Sequence, residues 1–305
     1  MRSNSIKKFN PYSILLLILV LAACGRGDVP LPTFPTAETF VVSTEIEPTS
    51  TTMPVISEKY PLQVEYAAVW VLNEDGLSIR SQAGISDTVA KVIPWDSRQI
   101  YLTGNRSLLG SSLWLEIEID DGTTGWVSAW NLTEYIPSDL FCNDSRAKLL
   151  IDEFIQALQD PQNSSLNEFI SPNRGLTIRL NWYSPDVIFA MDEIDSISTD
   201  DREIEWGIMA DSGLQITGTF EKIIRPYLED VFSDSSEVIC NELKWGNTSG
   251  EILWPNELEN LNFFSFYRKA EEDGNLFDWR TWAIGIEYVN NQPYIAILIH
   301  YSSEL

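Results

Sequence analysis

The run Leu113-Trp114-Leu115-Glu116-Ile117-Glu118-Ile119 constrains the fold more than any other stretch. Leu113, Leu115, Ile117 and Ile119 alternate with Trp114, Glu116 and Glu118, a period of two that divides the side chains between the faces of a strand. Asp120-Asp121-Gly122 follows, and glycine accepts the positive φ of a tight reversal, so the spacing predicts a hairpin that returns through Gly125-Trp126-Val127-Ser128. Further short β-type runs with turn punctuation precede it: Ala67 to Leu72, Leu77 to Arg80, Val89 to Ile93 and Gln99 to Thr103. Together they predict a small all-β barrel from about Val64 to Tyr135.

Three ordered segments of this region resemble the bacterial SH3-like (SH3b) family. Leu77-Ser78-Ile79-Arg80-Ser81 is similar to its opening strand, Trp114-Leu115-Glu116-Ile117 to its central strand, and Gly125-Trp126-Val127-Ser128 with Leu132 to its closing strand. The resemblance implies a docking module for wall peptide, glycan or an envelope protein. Gln82-Ala83-Gly84 and Trp95-Asp96-Ser97 depart from the family's turns. Trp95, Tyr101 and Trp130 are the candidate ligand-binding aromatics, since flat rings combine contact area with a polar handle. Trp114 and Trp126, on alternating strands, are expected to be buried.

Beyond Cys142 the period changes. Ala147, Leu150, Ile151, Phe154, Ile155 and Leu158 recur at helical spacing after the capping candidates Asn143 and Asp144. Phe220, Ile223, Ile224, Tyr227, Leu228 and Val231 repeat it, with Pro226 bending the helix or starting a new one. A shorter helix is expected over Leu166 to Ile170. Strands follow at Phe263 to Arg268, Trp279 to Val289 and Pro293 to Tyr301, the last two joined by Asn290-Asn291-Gln292. Helices first and antiparallel strands last predict an α+β domain, by analogy a sheet wrapped around a helix as in NTF2-like and cystatin-like folds. The region is also similar to an uncharacterised bacterial envelope family in four blocks: Ile170-Ser171-Pro172-Asn173-Arg174-Gly175, Trp206 through Phe220, Asp278-Trp279-Arg280-Thr281-Trp282, and Ile299-His300. Ser171 stands where that family usually has histidine.

The N-terminus carries Arg2, Lys7 and Lys8, then an uncharged stretch from Phe9 whose apolar core runs from Ile14 to Ala23, the pattern of a secretory signal. It is too short for an ordinary transmembrane helix. Leu21-Ala22-Ala23-Cys24-Gly25 resembles the lipobox of bacterial lipoproteins, which implies cleavage before Cys24 and lipid attachment to it; a plain signal cut after Ala23, or an uncleaved anchor, is the alternative. Residues 24–60, rich in threonine, serine and proline, read as a disordered tether. The organisation expected is thus a signal peptide over 1–23, the tether over 24–60, an SH3b-like domain over 61–137 and an α+β domain over 141–305. The chain would work outside the cytoplasm, held to the cell membrane through Cys24.

In that compartment Cys142 and Cys240 can oxidise, and we expect them to pair, two separate buried thiols being the other reading. Two cysteines without clustered histidines make no zinc site, and no cofactor motif is present. Removing residues 1–23 takes away three basic residues and no acidic one, so the formal charge of −25 moves to −28. Such a field repels nucleic acid and anionic lipid.

His300 is the single histidine, and with Asp278, Arg280 and Asp211 it is the candidate catalytic group. On a strand where Tyr294, Ala296, Leu298 and His300 share a face, it would sit at the mouth of a pocket. Histidine with a carboxylate suffices for acid–base chemistry, but backbone or carboxylate hydrogen bonding that ends a strand is the bland reading. No serine elbow, metalloprotease helix or phosphate loop accompanies it. Asp192, Glu193, Asp195, Asp200, Asp201, Glu203 and Glu205 lack calcium-loop spacing and read as a solvated surface. Binding by the SH3-like module, with a pocket or interaction surface on the α+β domain, is therefore preferred to an envelope enzyme using His300 and Asp278.

Overall fold

In the first sheet, strand formation follows the period-two runs. The computed structural model describes residues 60–303 except 73–74, 86–87, 161–164, 210–211, 233–235, 249–250 and 272–273, so the signal, the tether, Cys24 and Asp211 lie outside the described residues. Strands β1 (Tyr66–Ala68), β2 (Leu77–Arg80), β3 (Val89–Ile93), β4 (Ile100–Leu109), β5 (Ser112–Ile119), β6 (Thr124–Ser128) and β7 (Leu132–Glu134) form one sheet. Its order is β3-β2-β6-β5-β4-β1-β7, with every pair antiparallel. The alternating side chains do as predicted: Leu115, Ile117 and Ile119 join Ile79, Ile100 and Val127 in a core of the sheet's own. Gly122 takes φ 81° at the β5–β6 reversal, where the Asp121 carboxylate accepts from the Thr123 N–H at 2.9 Å.

Helix α1 (Ser138–Asn143) leads into α2 (Ser145–Gln159), whose first turn is capped by Asp144 accepting from the Arg146 N–H at 2.9 Å. Ala147, Ile151, Phe154 and Leu158 bury one face of α2. The chain then makes β8 (Leu176–Arg179), β9 (Val187–Phe189), the β10 (Ile204–Ile208) and β11 (Gln215–Gly218) hairpin, α3 (Phe220–Ile223), α4 (Arg225–Val231), β12 (Glu237–Cys240), β13 (Asn262–Arg268), β14 (Arg280–Val289) and β15 (Gln292–Ser302). Pro226 begins a new helix, as its missing N–H allows in a first turn. Asn290 and Asn291 both take positive φ, 52° and 57°, so the β14–β15 turn is the two-residue reversal that this pair of asparagines favours.

Two expectations are corrected. Strands β8 to β12 are interleaved with the helices rather than following them, and the six-stranded sheet β12-β13-β14-β15-β8-β9 includes a parallel β15–β8 pair. The structure is therefore mostly β with few helices. Leu166 to Ile170 is a turn, not a helix: the Asp195 carboxylate accepts from the N–H groups of Leu166 and Asn167, and Ile170 bridges to Ile295. No helix among the described residues is long and apolar enough to cross a membrane.

The described residues make one compact unit. One face of the six-stranded sheet packs α2, α3 and α4 through Phe154, Phe220, Leu228, Trp282 and Ile284. The other is covered by Leu243, Ile252, Leu258 and Leu261, with Val69 reaching it from the first sheet. Cys142 and Cys240 are bonded, S–S 1.97 Å, fastening α1 to β12.

Candidate functional site

The two sheets are pinned by Arg174, which lies in the block Ser171-Pro172-Asn173-Arg174-Gly175. Ser171 Oγ accepts from the N–H groups of Asn173 and Arg174, each at 3.1 Å, and donates to Glu287 on β14. Gly175 closes the turn at φ 73°, where an added Cβ would lie 2.0 Å from the Phe189 carbonyl oxygen, so a side chain is sterically barred. Arg174 Nε bonds Glu287 Oε2 at 2.6 Å, Nη2 donates to the Leu132 carbonyl at 2.5 Å and Nη1 donates to the Trp130 carbonyl. Its guanidinium lies 4.4 Å from the Trp70 ring centroid and 5.1 Å from that of Trp130. Both charges are buried, so the pair is matched internally and is not a binding cation.

Two clefts open beside this pin. One, of about 400 Å³, is lined by Tyr60, Ser111, Ser112, Ser128, Trp130, Asn173 and Arg174. The other, of about 490 Å³, is lined by Trp70, Leu72, Ile85, Ser112, Trp114, Ser128 and Asn131. Ser112 and Ser128 border both, so the two clefts adjoin across the start of β5 and the end of β6 and are taken together as a groove. Among the described residues Trp70 Nε1 and Asn173 Oδ1 have no hydrogen-bond partner, and the Trp70 backbone sits at φ 52°, an unusual conformation for a bulky residue. Burial raises the Tyr60 hydroxyl to about 12, so it stays a neutral donor. Three indoles with hydroxyls and amides suit an uncharged polar ligand with an apolar face.

Of the aromatic candidates, only Trp130 lines this groove. Tyr101 is 43 % exposed on β4. Trp95 packs half-buried against the core of the first sheet and does not line the groove. Trp114 is buried at the groove's floor and Trp126 is half-buried.

His300 is 2 % exposed. Its Nδ1 lies 3.0 Å from the Leu180 carbonyl, Nε2 has no partner among the described residues, and its ring packs against Tyr227 and Trp282. The face expected for it is also revised, because Ile286 pairs Ile295 whereas Gly285 pairs Ile297, an extra residue in β15 at Ala296. Parity flips there, so Leu298 and Ile295 face the helix-side core whereas Ala296 and Ile297 face the opposite one. Asp278 is at the surface, bonded to Arg280 at 3.0 Å and near Arg268 at 3.6 Å. The histidine and carboxylate that an acid–base site needs are thus held apart, and His300 opens on no pocket mouth.

Burial, with Arg280 as the second cause, lowers the His300 pKa from 6.5 to about 3. The unfolded chain binds a proton as pH falls through 6.5 whereas the folded chain does not until about 3. The neutral histidine's contribution is therefore fully present above the unfolded value and lost on acidification, at about 1.4 kcal/mol per pH unit between the two values. His300→Gln should flatten the fall of unfolding free energy with acid in urea titrations; parallel wild-type and variant profiles would contradict this.

Among the described residues no group of three potential ligands could hold a metal ion. In the acidic stretch, Glu193 and Asp200 both pair with Arg202, and Asp195 caps the Leu166 turn. Arg174, Glu287 and Trp70 escaped the sequence reading as site residues; the only signal was that Arg174 and Ser171 lie in a block noted for another reason. Comparison with protein-family models, with curated proteins and with solved structures finds no match to this chain.

Proposed function

We propose that this chain is an extracytoplasmic binding protein, anchored by lipid at Cys24, whose SH3-like first sheet docks on cell-wall material or an envelope protein. In this reading the second sheet with its helices is an α+β body that buttresses the docking groove. The observation that carries it is the groove itself: Trp70, Trp114 and Trp130 beside Ser112, Ser128, Asn131 and Asn173. Stacking indoles and neutral hydrogen-bonding groups suit wall glycan or peptide, and a sealed His300 favours binding over hydrolysis. The SH3b resemblance supports the same class of ligand.

The full chain in detergent should sediment with isolated cell walls. Ser112→Arg, at an exposed position common to both clefts, should reduce the bound fraction about tenfold by filling the groove. Equal sedimentation of variant and wild type would reject the groove. Cys24→Ala should release the protein from membranes with both sheets intact.

A further inference from the structure

A separate cleft of about 470 Å³ lies where the segment after β12 meets the first sheet, bordered by Arg98, Tyr135, Trp245, Leu253, Trp254 and Asn260. Its cation is held in place. Arg98 Nε donates to Asn260 Oδ1 at 2.7 Å and Nη1 donates to the Tyr135 hydroxyl at 2.8 Å, with the guanidinium 4.6 Å from the Tyr135 ring centroid. Asn260 is itself fixed by donating to the Ala68 carbonyl at 2.9 Å. In a chain with 45 acidic residues and 20 basic ones, Arg98 has no carboxylate partner among the described residues, and its Nη2 is uncommitted. A planar fork already immobilised on one edge loses little entropy when the other edge takes an oxyanion.

The apolar side of the cleft is equally prepared. Trp245 is 42 % exposed and its ring has no partner among the described residues, and Leu253 is 55 % exposed. Trp254 is rigid, stacked on Phe263 at 4.1 Å and donating Nε1 to the Leu258 carbonyl at 2.8 Å. Glu242 and Glu259 also border the cleft, and their charges disfavour a multiply charged anion.

We propose that this cleft is a second binding site, for a small monocarboxylate bearing an apolar or aromatic group, with the carboxylate on Arg98 and the apolar group on Trp245. It is independent of the groove beside Trp130. Cleft volume suits a ligand of amino-acid or short-peptide size.

The test titrates the full chain with N-acetyl-phenylalanine, N-acetyl-phenylalaninamide and inorganic phosphate, following the Trp245 indole N–H resonance and the heat of binding. The acid should bind about tenfold more tightly than the amide, as loss of one charge-assisted contact predicts, and phosphate should not compete. Arg98→Gln should erase the acid's advantage. Because Arg98 also fastens Asn260, Trp245→Ala serves as the variant that leaves the fold untouched, and it should weaken the acid with near-ultraviolet dichroism otherwise preserved. Ser112→Arg should leave binding unchanged. Equal binding of acid and amide, no saturable shift with the acid, competition by phosphate, or an unaltered Trp245→Ala would each overturn the site.

Discussion

Glu287→Gln is expected to destabilise the protein by about 3–5 kcal/mol, because it leaves the Arg174 guanidinium buried without its counter-charge. The side chains of the pair are 2 % and 1 % exposed, so water cannot take over the lost contact. The remaining partners of Arg174, the Trp130 and Leu132 carbonyls and the two indoles, are dipoles and quadrupoles that stabilise a cation less than a carboxylate at 2.6 Å. Arg174→Met should cost a similar amount by stranding Glu287, and the double variant should cost less than the two single changes together. Urea unfolding of the four proteins measures this. A Glu287→Gln loss below about 1 kcal/mol, the range of exposed pairs, would show that the pin is solvated in solution.

The second large effect concerns Cys142 and Cys240. Their bond closes a segment with a sequence separation of 98 residues, so its removal should cost about 4 kcal/mol in the chain-entropy account. The expected loss sits at α1, where Phe141 packs 4.8 Å from Phe264 on β13 and would be freed to fray with the helix. Cys142→Ser with Cys240→Ser should lower the urea midpoint, whereas reductant should lower the wild type to the same value. Free-thiol counting on native protein should find neither cysteine reactive; two reactive thiols would contradict the bond.

The sequence made the first sheet legible because it is a single curled layer with one side to solvent. Leu113 to Ile119 alternates for that reason, and Asp-Gly marks the β5–β6 reversal, as Asn-Asn marks the β14–β15 reversal in the second sheet. Helix α2 was equally legible through its one-sided period. Strands β14 and β15 were found as apolar runs, but both faces are buried, so alternation could not tell which residues share a face. The extra residue at Ala296 then reversed the parity on which the His300 reading relied. Strands β8 to β12 are three to five residues long and carry polar groups such as Thr177 and Arg179 into buried positions, leaving little periodic signal. The site was least legible of all. Arg174 and Glu287 are 113 residues apart, and nothing local to either announces a partner.

That placement ties the curled first sheet to the second, helix-backed sheet. Trp70 and Trp130 are packed by a guanidinium from the turn that leads into β8, and Glu134 of β7 accepts from the N–H groups of Asn290 and Asn291 at 2.5 and 2.9 Å. The groove's walls are therefore built by the first sheet and the turn before β8, and loosening the Arg174 pin should weaken the proposed wall binding together with stability.

Hydrogen exchange of the full chain, with and without soluble cell-wall fragments, tests the proposed docking at this groove most directly. Slowed exchange is expected at the start of β5, the end of β6 and the turn through Trp130 and Asn131, and nowhere else. Protection elsewhere with none in those segments, or no protection by any wall fragment, would contradict it.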